Sequence, residues 1–208
     1  MTVDSISRIF NKHLMADRRQ YPVPSVPMLS ELLLADAYRI TGRRSWSGVA
    51  KQTLLGETYR YTLAYRLAAS AKNRPARFVT RLWLRRQRQR LGINIPGPTQ
   101  IGPGLLIGHA GGIVVNAAVT IGANCNLSHQ VTIGVSRGRN PGTPKIGDRV
   151  YIGPGAVIIG SIEVGDDAAI GANAVVTRDV PAGHTAVGNP ATVREGGSRD
   201  YIHQVWNG

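Results

Sequence analysis

The second half of the chain carries a short repeated pattern, in which an aliphatic residue followed by a small one returns every six positions. The pattern begins at Ile101 and continues to Val176, with a two-residue slip before Ile121 and an interruption between Gly134 and Ile146. A six-residue period is typical of a parallel β-helix, whose short strands turn at small residues and stack coil on coil around a narrow aliphatic interior. The pattern therefore predicts a mainly β fold with neighbouring coils about 4.8 Å apart.

Two breaks in the period predict where the chain leaves the regular coils. The segment VSRGRNPGTPK, residues 135–145, is polar and rich in Gly and Pro, so we expect an extruded loop that forms one wall of a cleft. After Val180 the period fails at PAGHTAVGNPATV, which is expected to cap the coils and limit the exposed strand edge. We therefore predict a β-helix domain over residues 94–193 and a C-terminal tail over 194–208, in which Trp206 is expected to pack.

The region before the coils, residues 1–93, has helical rather than six-residue spacing. Apolar residues recur at intervals of three and four positions in SELLLADAYRI and in YRYTLAYRLAAS. These patterns predict an α-helical N-terminal region that leads directly into the first coil of the β-helix.

Positive charge is concentrated in the helical region. Residues 1–96 hold 18 Lys or Arg against 5 Asp or Glu, whereas residues 97–208 hold 7 of each, so the first part carries the whole net charge of +13. Residues 74–90 hold seven arginines and no acid, interleaved with Phe78, Leu82 and Trp83. Three interpretations are open: a solvated helix packing its aromatic residues on the coils, a helix docked on an anionic membrane, and a nucleic-acid site. Nucleic acid ranks last, because no zinc, RNP or helix-turn-helix pattern accompanies the charge.

The cysteine content and the hydropathy of the chain indicate the cellular compartment that we expect for it. The single cysteine, Cys125, excludes an intramolecular disulfide framework, and its place in the repeat assigns it to the core. No apolar run reaches the ~18 residues of a membrane span, and the N-terminal segment lacks a signal-peptide pattern. We expect a cytoplasmic protein, with contact to the inner membrane face through residues 74–90 as an open alternative.

His109 and His129 are the candidate chemical groups of the coils. Each is the third residue of its unit, and their separation of 20 equals one 18-residue coil plus the two-residue slip, so the frame predicts imidazoles stacked one coil apart. A metal site would need a third ligand, and His184 does not repeat the register, so we expect no metal. A neutral imidazole can instead accept a proton from a hydroxyl group near neutral pH. His109 is therefore a candidate general base, with an ordinary surface histidine as the alternative.

Four segments of the chain resemble the hexapeptide-repeat acetyltransferases, most closely their serine acetyltransferase branch, which includes short members that acetylate surface polysaccharides. The segments are IGPGLLIGHAGGIVVN, IGANCNLSHQVTIG, TPKIGDRVYIGPGAVIIGSIEVGDDAAIGANAVV and HTAVGNPA. The resemblance implies a left-handed β-helix, a homotrimer with a dimer of trimers as a further assembly, and an acceptor site between neighbouring prisms. It also implies that acetyl-CoA lies along the coils and that transfer is direct: His109 deprotonates an acceptor hydroxyl, which attacks the thioester while backbone N–H groups stabilise the oxyanion.

The same resemblance assigns roles to further residues. It places Asn94 at the position of the acid that orients the base, and Gly108, His129 and Thr143 at the acceptor site. The contacts to acetyl-CoA fall on Gly134, Gly153, Pro154, Gly171 and Ala172, with Lys145 and Arg178 as candidates for the nucleotide phosphates.

The chain departs from the serine enzymes at their acceptor-recognising positions. Those enzymes have an aspartate directly before the base, where this chain has Gly108, and an aspartate that orients the base, where it has Asn94. Their extruded loop carries an Arg-His pair where this chain has Gly142 and Thr143. The loss of these groups favours a roomier, more neutral cleft. We therefore expect an O-acetyltransferase acting on a sugar of a surface polysaccharide or its precursor; O-acetylation of L-serine for cysteine synthesis and a non-enzymatic β-helix scaffold are the alternatives.

Overall fold

The computed structural model describes residues 27–138 and 140–208 of the 208-residue chain. The start of the predicted helical region, up to residue 26, and Arg139 of the predicted loop lie outside the described residues. The described helices are α1 (Leu29–Thr41), α2 (Trp46–Leu55), α3 (Glu57–Ser70) and α4 (Arg74–Leu91). None of them is long and apolar enough to span a bilayer.

Local sequence signals set the ends of these helices. The Ser45 side chain accepts a hydrogen bond from the Gly48 N–H and caps α2, and the Asn73 side chain accepts one from the Ala76 N–H and caps α4. Gly92 ends α4 in the left-handed conformation, with φ at 61°. A side chain there would be strained, so glycine allows the chain to turn from the helix into the first coil.

Short strands follow the helices in the described part of the chain. In chain order they are β1 (Ile93–Asn94), β2 (Gln100–Ile101), β3 (Leu106–Ile107), β4 (Ile113–Val115), β5 (Thr120–Ile121), β6 (Asn126–Leu127), β7 (Thr132–Gly134), β8 (Lys145–Ile146), β9 (Tyr151–Ile152), β10 (Val157–Ile159), β11 (Glu163–Val164), β12 (Ala169–Ile170), β13 (Val175–Val176), β14 (His184–Val187) and β15 (Thr192–Glu195).

These strands form the three faces of a prism. The first face has the order β1-β4-β7-β10-β13, the second β2-β5-β8-β11, and the third β3-β6-β9-β12-β14-β15. Strands within a face pair in parallel, except for the final antiparallel pair of β14 and β15. Because consecutive strands lie on different faces, the chain winds once around the prism for every three strands. The predicted left-handed parallel β-helix, preceded by helices, is confirmed.

A column of aliphatic side chains fills the interior of the prism. Ile107, Leu127, Ile152 and Ile170 stack in register on the third face, and each is 2% exposed or less. Cys125 is fully buried in the same core, where burial raises the pKa of its thiol to about 12. The thiol therefore stays protonated at neutral pH and packs as a small apolar side chain, as the repeat predicts.

The helices are joined to the first coil through buried polar groups. Arg66 of α3 and Asp36 of α1 form an ion pair, with 2.8 Å between Nε and Oδ2, and their side chains are 3% and 1% exposed. Arg66 also donates to the carbonyl oxygens of Ile101 and Gly102, each at 2.6 Å, and the Leu105 N–H donates to Asp36 at 2.8 Å. The ion pair therefore satisfies backbone groups at the end of the prism that burial would otherwise leave unpaired.

The C-terminal tail contacts both the coils and the helices. The Asn124 side chain donates to the Trp206 carbonyl at 3.0 Å and accepts from the Trp206 N–H at 2.7 Å. The Trp206 ring meets Tyr38 edge-on at 5.7 Å between centroids, and the Arg44 guanidinium lies 4.8 Å from its centre. Trp206 is 7% exposed, so the prediction that it packs is confirmed.

Candidate active site

One edge of the prism, where the chain leaves the third face, brings the two candidate histidines into line with several residues assigned to acetyl-CoA. Strand pairing aligns Ile107, Leu127, Ile152 and Ile170, so the two residues that follow each of them also align. We call these following residues the histidine edge: Gly108, His109, Ser128, His129, Gly153, Pro154, Gly171 and Ala172. Backbone hydrogen bonds of 2.8 to 3.0 Å join its successive turns.

The imidazoles of His109 and His129 are neighbours on this edge. Their ring centroids lie 6.0 Å apart and the rings are inclined by 77°. The predicted stacking one coil apart is confirmed, because the pairing of Ile107 with Leu127 fixes the register two residues earlier. His109 is exposed, so a hydroxyl group can approach its ring while the end of β3 holds its backbone. Within residues 27–138 and 140–208, no three His, Cys, Asp or Glu side chains come together as a metal site.

The glycines of the histidine edge differ in whether packing against the next coil explains them. A Cβ at Gly153 would lie 2.8 Å from the backbone oxygen of Ile170 in the next coil, so the stacking of coils requires glycine there. A Cβ at Gly171 would lie 2.8 Å from a methyl group of the Val187 side chain. A Cβ at Gly108 would find only a backbone oxygen, at 4.0 Å, among the described residues. Packing therefore does not require glycine beside His109, and the missing side chain leaves open space next to the imidazole.

Asn94, the residue implied to orient the base, is held by α4. Nη2 of Arg88 donates a hydrogen bond to Oδ1 of Asn94. Asn94 aligns with Val114, on the strand that begins soon after His109. Across the described ranges, no hydrogen bond joins Asn94 to His109, and no carboxylate forms a hydrogen bond or ion pair with either histidine of the edge. His109 is thus held by the backbone and by contact with His129 rather than by an acid.

Residues 135–138 and 140–144 lie between β7 and β8, outside the ladder of coils. Ser136 and Gly142 exchange two backbone hydrogen bonds of 3.0 and 3.1 Å, which close the base of the loop. The Thr143 hydroxyl donates to the Ala118 carbonyl at 3.2 Å. Thr143, which the resemblance places at the acceptor site, therefore anchors the loop at the edge that follows the first face, a different edge from that of His109 within one chain.

The remaining residues assigned to acetyl-CoA also lie away from the histidine edge. Gly134 ends β7 and Arg178 follows β13, both of which belong to the first face. Lys145 begins β8 on the second face, with its Nζ 3.9 Å from Oε1 of Glu163. Within one chain, the structure therefore separates Gly134, Lys145 and Arg178 from the coil residues that align with His109.

The basic pattern of residues 74–90 does not reveal that four of its arginines line one cavity. The cavity has a volume of about 780 Å³ and lies between α3, α4 and the turn that follows β1. Its arginines are Arg77, Arg81, Arg85 and Arg88. The available signal is their spacing of three and four residues, which places them on one face of a helix.

A prism of six-residue repeats with a histidine pair on a glycine-rich edge defines the class of hexapeptide-repeat transferases. The family model described as "Bacterial transferase hexapeptide (six repeats)" matches residues 143–178. The serine acetyltransferase of Helicobacter pylori (strain ATCC 700392 / 26695) is 42% identical over 130 residues, which cover 62% of this chain and 76% of that protein. This chain belongs to the serine acetyltransferase-like branch of the hexapeptide-repeat acetyltransferases.

Plant relatives and solved structures extend the comparison. The chloroplastic serine acetyltransferase 1 of Arabidopsis thaliana is 42% identical over 132 residues, 62% of this chain and 42% of that protein, so the match spans less than half of this relative. Soybean serine acetyltransferase complexed with serine has a TM-score of 0.67 and 35% identity, covering 81% of this chain and 70% of that one. Serine acetyltransferase from Brucella abortus strain S19 in complex with coenzyme A has a TM-score of 0.69 and 26% identity, covering 95% and 76%.

Proposed function

We propose that this chain is an O-acetyltransferase that takes its acetyl group from acetyl-CoA and uses His109 as general base. The observation that carries the proposal is the histidine edge, on which the exposed His109 aligns with His129, Pro154 and Ala172. The residue before it, Gly108, aligns with Gly153 and Gly171, where the coil backbone bears no side chain. The relative from Brucella abortus is described in complex with coenzyme A, which supports acetyl-CoA as the donor.

The proposed reaction is a direct transfer without an acetylated enzyme. The neutral imidazole of His109 removes the proton of an acceptor hydroxyl as the oxygen attacks the thioester carbonyl carbon. The C–S bond then breaks, and the CoA sulfur leaves with the proton that the imidazolium returns. Backbone N–H groups stabilise the oxyanion of the intermediate. The one thiol of the chain, Cys125, is buried and takes no part.

L-serine is the acceptor that the comparisons favour. The relatives from Helicobacter pylori and Arabidopsis thaliana are serine acetyltransferases by name, and the soybean structure is complexed with serine. The sugar acceptor expected from the substitutions at Gly108 and Asn94 receives no support from these relatives. L-serine is therefore the first candidate.

A sugar hydroxyl is the second candidate, because of the open, uncharged space beside His109. Gly108 has room for a side chain but bears none, and Asn94 is bonded to Arg88. An acceptor with an ammonium group would find no carboxylate at these two positions. A neutral hydroxylated ligand has no such need, which supports a sugar.

One assay separates the candidates. Release of free thiol from acetyl-CoA is followed with L-serine and, separately, with N-acetylglucosamine and glucose as acceptors. Saturable turnover with L-serine alone supports the first candidate, and saturable turnover with the sugars alone supports the second. Absence of turnover, together with absence of binding in a calorimetric titration with CoA, would support a non-enzymatic scaffold instead.

We also propose that the working form is a homotrimer. Within one chain the loop of residues 135–145, Gly134 and Arg178 lie away from the histidine edge, so a neighbouring prism would have to bring them to His109. Sedimentation equilibrium is expected to give three times the chain mass of 22.3 kDa, or six times if trimers pair. A monomer with full activity would contradict the trimer.

Contact with a membrane through α4 is a separate proposal, which the comparisons do not support. Its support is the exposure of Phe78, Val79 and Leu82, which are 71%, 63% and 58% exposed among arginines. Salt-sensitive recovery with anionic vesicles is expected in co-sedimentation. Equal recovery with neutral vesicles would count against it.

A further inference from the structure

We infer that the cavity lined by Arg77, Arg81, Arg85 and Arg88 is a second ligand site, separate from the histidine edge, and that it binds a diphosphate group. We call it the arginine cavity. Its other wall is made of small or rigid residues, namely Ala68 and Ala69 of α3, Ala71 directly after α3, and residues 96–98 of the turn after β1. The space between the four arginines and that wall has a volume of about 780 Å³.

The arginines form one continuous row along α4. Residues 77, 81, 85 and 88 are separated by four, four and three positions, so they lie on one side of the helix. With a rise of about 1.5 Å per residue, their Cα atoms extend over about 16 Å of helix. A row of this length can contact more than one phosphate group at the same time.

The positive charge of the row is not neutralised by the described residues. Arg77 donates to the Lys72 carbonyl at 3.0 Å, and Arg88 donates to the side-chain oxygen of Asn94, both of which are neutral acceptors. Arg81 and Arg85 have no hydrogen bond or ion pair within residues 27–138 and 140–208. Among the residues that the structure describes, no acid lines the cavity. Like charges three and four positions apart destabilise a helix, and a bound anion would remove that repulsion.

Guanidinium chemistry and cavity size together favour a diphosphate. The planar fork of arginine matches two oxygens of a phosphate group, and a row of forks suits two linked phosphates better than one. A second groove of about 470 Å³ on the same helix shares Arg77, Arg81 and Arg85 and adds the apolar side chains of Phe78 and Leu82. This groove offers space for the organic part of a diphosphate ester, which inorganic phosphate does not need.

The arginine cavity and the histidine edge lie at different places on the first coil. The cavity borders the turn from the first face to the second, whereas His109 lies where the chain leaves the third face. Coenzyme A itself contains a diphosphate, so it is the competing occupant to exclude. The inference goes beyond the proposed acetyl transfer, because it needs neither His109 nor the acetyl donor.

Calorimetric titration of the full chain with sodium pyrophosphate, at fixed ionic strength, tests the site. The wild type is expected to bind one pyrophosphate per chain, and the double variant R81A/R85A to lose about tenfold or more in affinity. A matched control, R86A/R194A, removes the same charge from exposed positions outside the cavity and is expected to change the affinity less than about twofold. The variant R81K/R85K keeps the charge without the fork, and an intermediate affinity is expected. His109→Asn is expected to leave pyrophosphate binding unchanged, so a failure of the acetyl-transfer proposal can be distinguished from a failure of this inference.

Four results would overturn the inference. The first is absence of saturable binding of pyrophosphate to the wild type, and the second is an equal loss of pyrophosphate affinity in R81A/R85A and R86A/R194A. The third is displacement of pyrophosphate by CoA, together with a parallel loss of CoA affinity in R81A/R85A. The fourth is binding to phosphatidylglycerol vesicles without binding to pyrophosphate. A parallel titration with farnesyl diphosphate distinguishes the source of the group. If farnesyl diphosphate binds more tightly than pyrophosphate, the result supports a lipid-linked diphosphate whose organic part lies in the groove of Phe78 and Leu82. If the two ligands bind equally, the result supports a free diphosphate.

Discussion

The imidazole rings of His109 and His129 lie 6.0 Å apart, centre to centre, and are inclined by 77°. Strand pairing produces this contact, because the residues two positions earlier are paired across successive coils. His129 therefore lies one step along the edge from His109, towards Gly153 and Pro154. Among the residues assigned to the acetyl donor, Gly153, Pro154, Gly171 and Ala172 therefore lie beyond His129 on this edge, as seen from His109.

Substitution of His129 by Gln is expected to act on substrate binding more than on the chemical step. Loss of the ring removes a neighbour of His109 but leaves the proposed base in place, so the acceptor KM should rise by about tenfold while kcat falls less. Steady-state kinetics with varied acceptor and saturating acetyl-CoA measure the two effects. His203→Gln, at an exposed position in the tail, is the matched control. A loss in kcat as large as that of a His109 variant would contradict this division of roles.

Introduction of a carboxylate at Gly108 tests the acceptor. The site has room, because a Cβ at residue 108 would have one neighbouring atom among the described residues, the backbone oxygen of Leu127, 4.0 Å away. If the acceptor is L-serine, Gly108→Asp is expected to lower the KM for serine by about tenfold through a charge-assisted contact with the ammonium group. Gly108→Asn has a similar shape without the charge and serves as control. A rise in the serine KM with Gly108→Asp, but not with Gly108→Asn, would contradict the placement of the serine ammonium group beside residue 108, and absence of saturable turnover with serine in the wild type and in both variants would contradict serine as the acceptor.

Removal of one member of the buried pair of Asp36 and Arg66 is expected to destabilise the fold strongly. Arg66→Met leaves the Asp36 carboxylate buried without its partner, at a cost of about 3 to 5 kcal/mol in the free energy of unfolding. The double variant D36L/R66M removes both charges, so its loss should be smaller than the sum of the two single losses. Urea denaturation of the four proteins measures the difference. Additive losses would show that the two side chains act independently.

The contact of Arg149 with Asp167 is expected to make stability depend on pH in the acid range. The guanidinium, 2.7 Å away, lowers the pKa of the Asp167 carboxyl below its usual value. A carboxyl whose folded pKa is lowered stabilises the fold above its unfolded pKa, and that stabilisation is lost as pH falls through the folded pKa. Asp167→Asn should therefore lower Tm by about 2 °C at pH 7 and by less below about pH 4.

Thermal unfolding at both pH values checks this prediction. Glu195→Gln, which removes one exposed negative charge from β15, is the control for net charge. A Tm difference between Asp167→Asn and the wild type that persists unchanged at pH 3 would contradict the assignment to this ion pair.

The parts of the fold that depend on local repetition could be predicted from the sequence. A six-residue period fixes the register of the coils, so the stacking of His109 on His129 and the burial of Cys125 both follow from residue spacing. The contact between Asp36 and Arg66 could not be predicted, because the two residues are 30 positions apart and meet only through helix packing. The pattern of apolar positions contains no information on which polar side chains face each other across such a contact.

The residues of the candidate site fall into the same two groups, those placed by the repeat and those placed by non-repetitive segments. The alignment of His129, Pro154 and Ala172 with His109 follows from the repeat, whereas the bond from Arg88 to Asn94 depends on where α4 ends. The anchoring of Thr143 to Ala118 depends on the path of the loop, which no period constrains. The acceptor depends on groups placed by such non-repetitive segments, which is why residue spacing predicts the chemistry of the site better than its substrate.

The most direct test of the central claim is acetyl transfer by a His109→Asn variant. Thiol release from acetyl-CoA is measured with saturating acceptor, and binding of CoA is measured by calorimetry on the same protein. The account predicts a loss of about 100- to 10,000-fold in kcat with CoA affinity unchanged, because the base is removed while the coil contacts remain. His203→Asn is expected to retain full activity. Turnover by His109→Asn at the wild-type rate would contradict His109 as the general base.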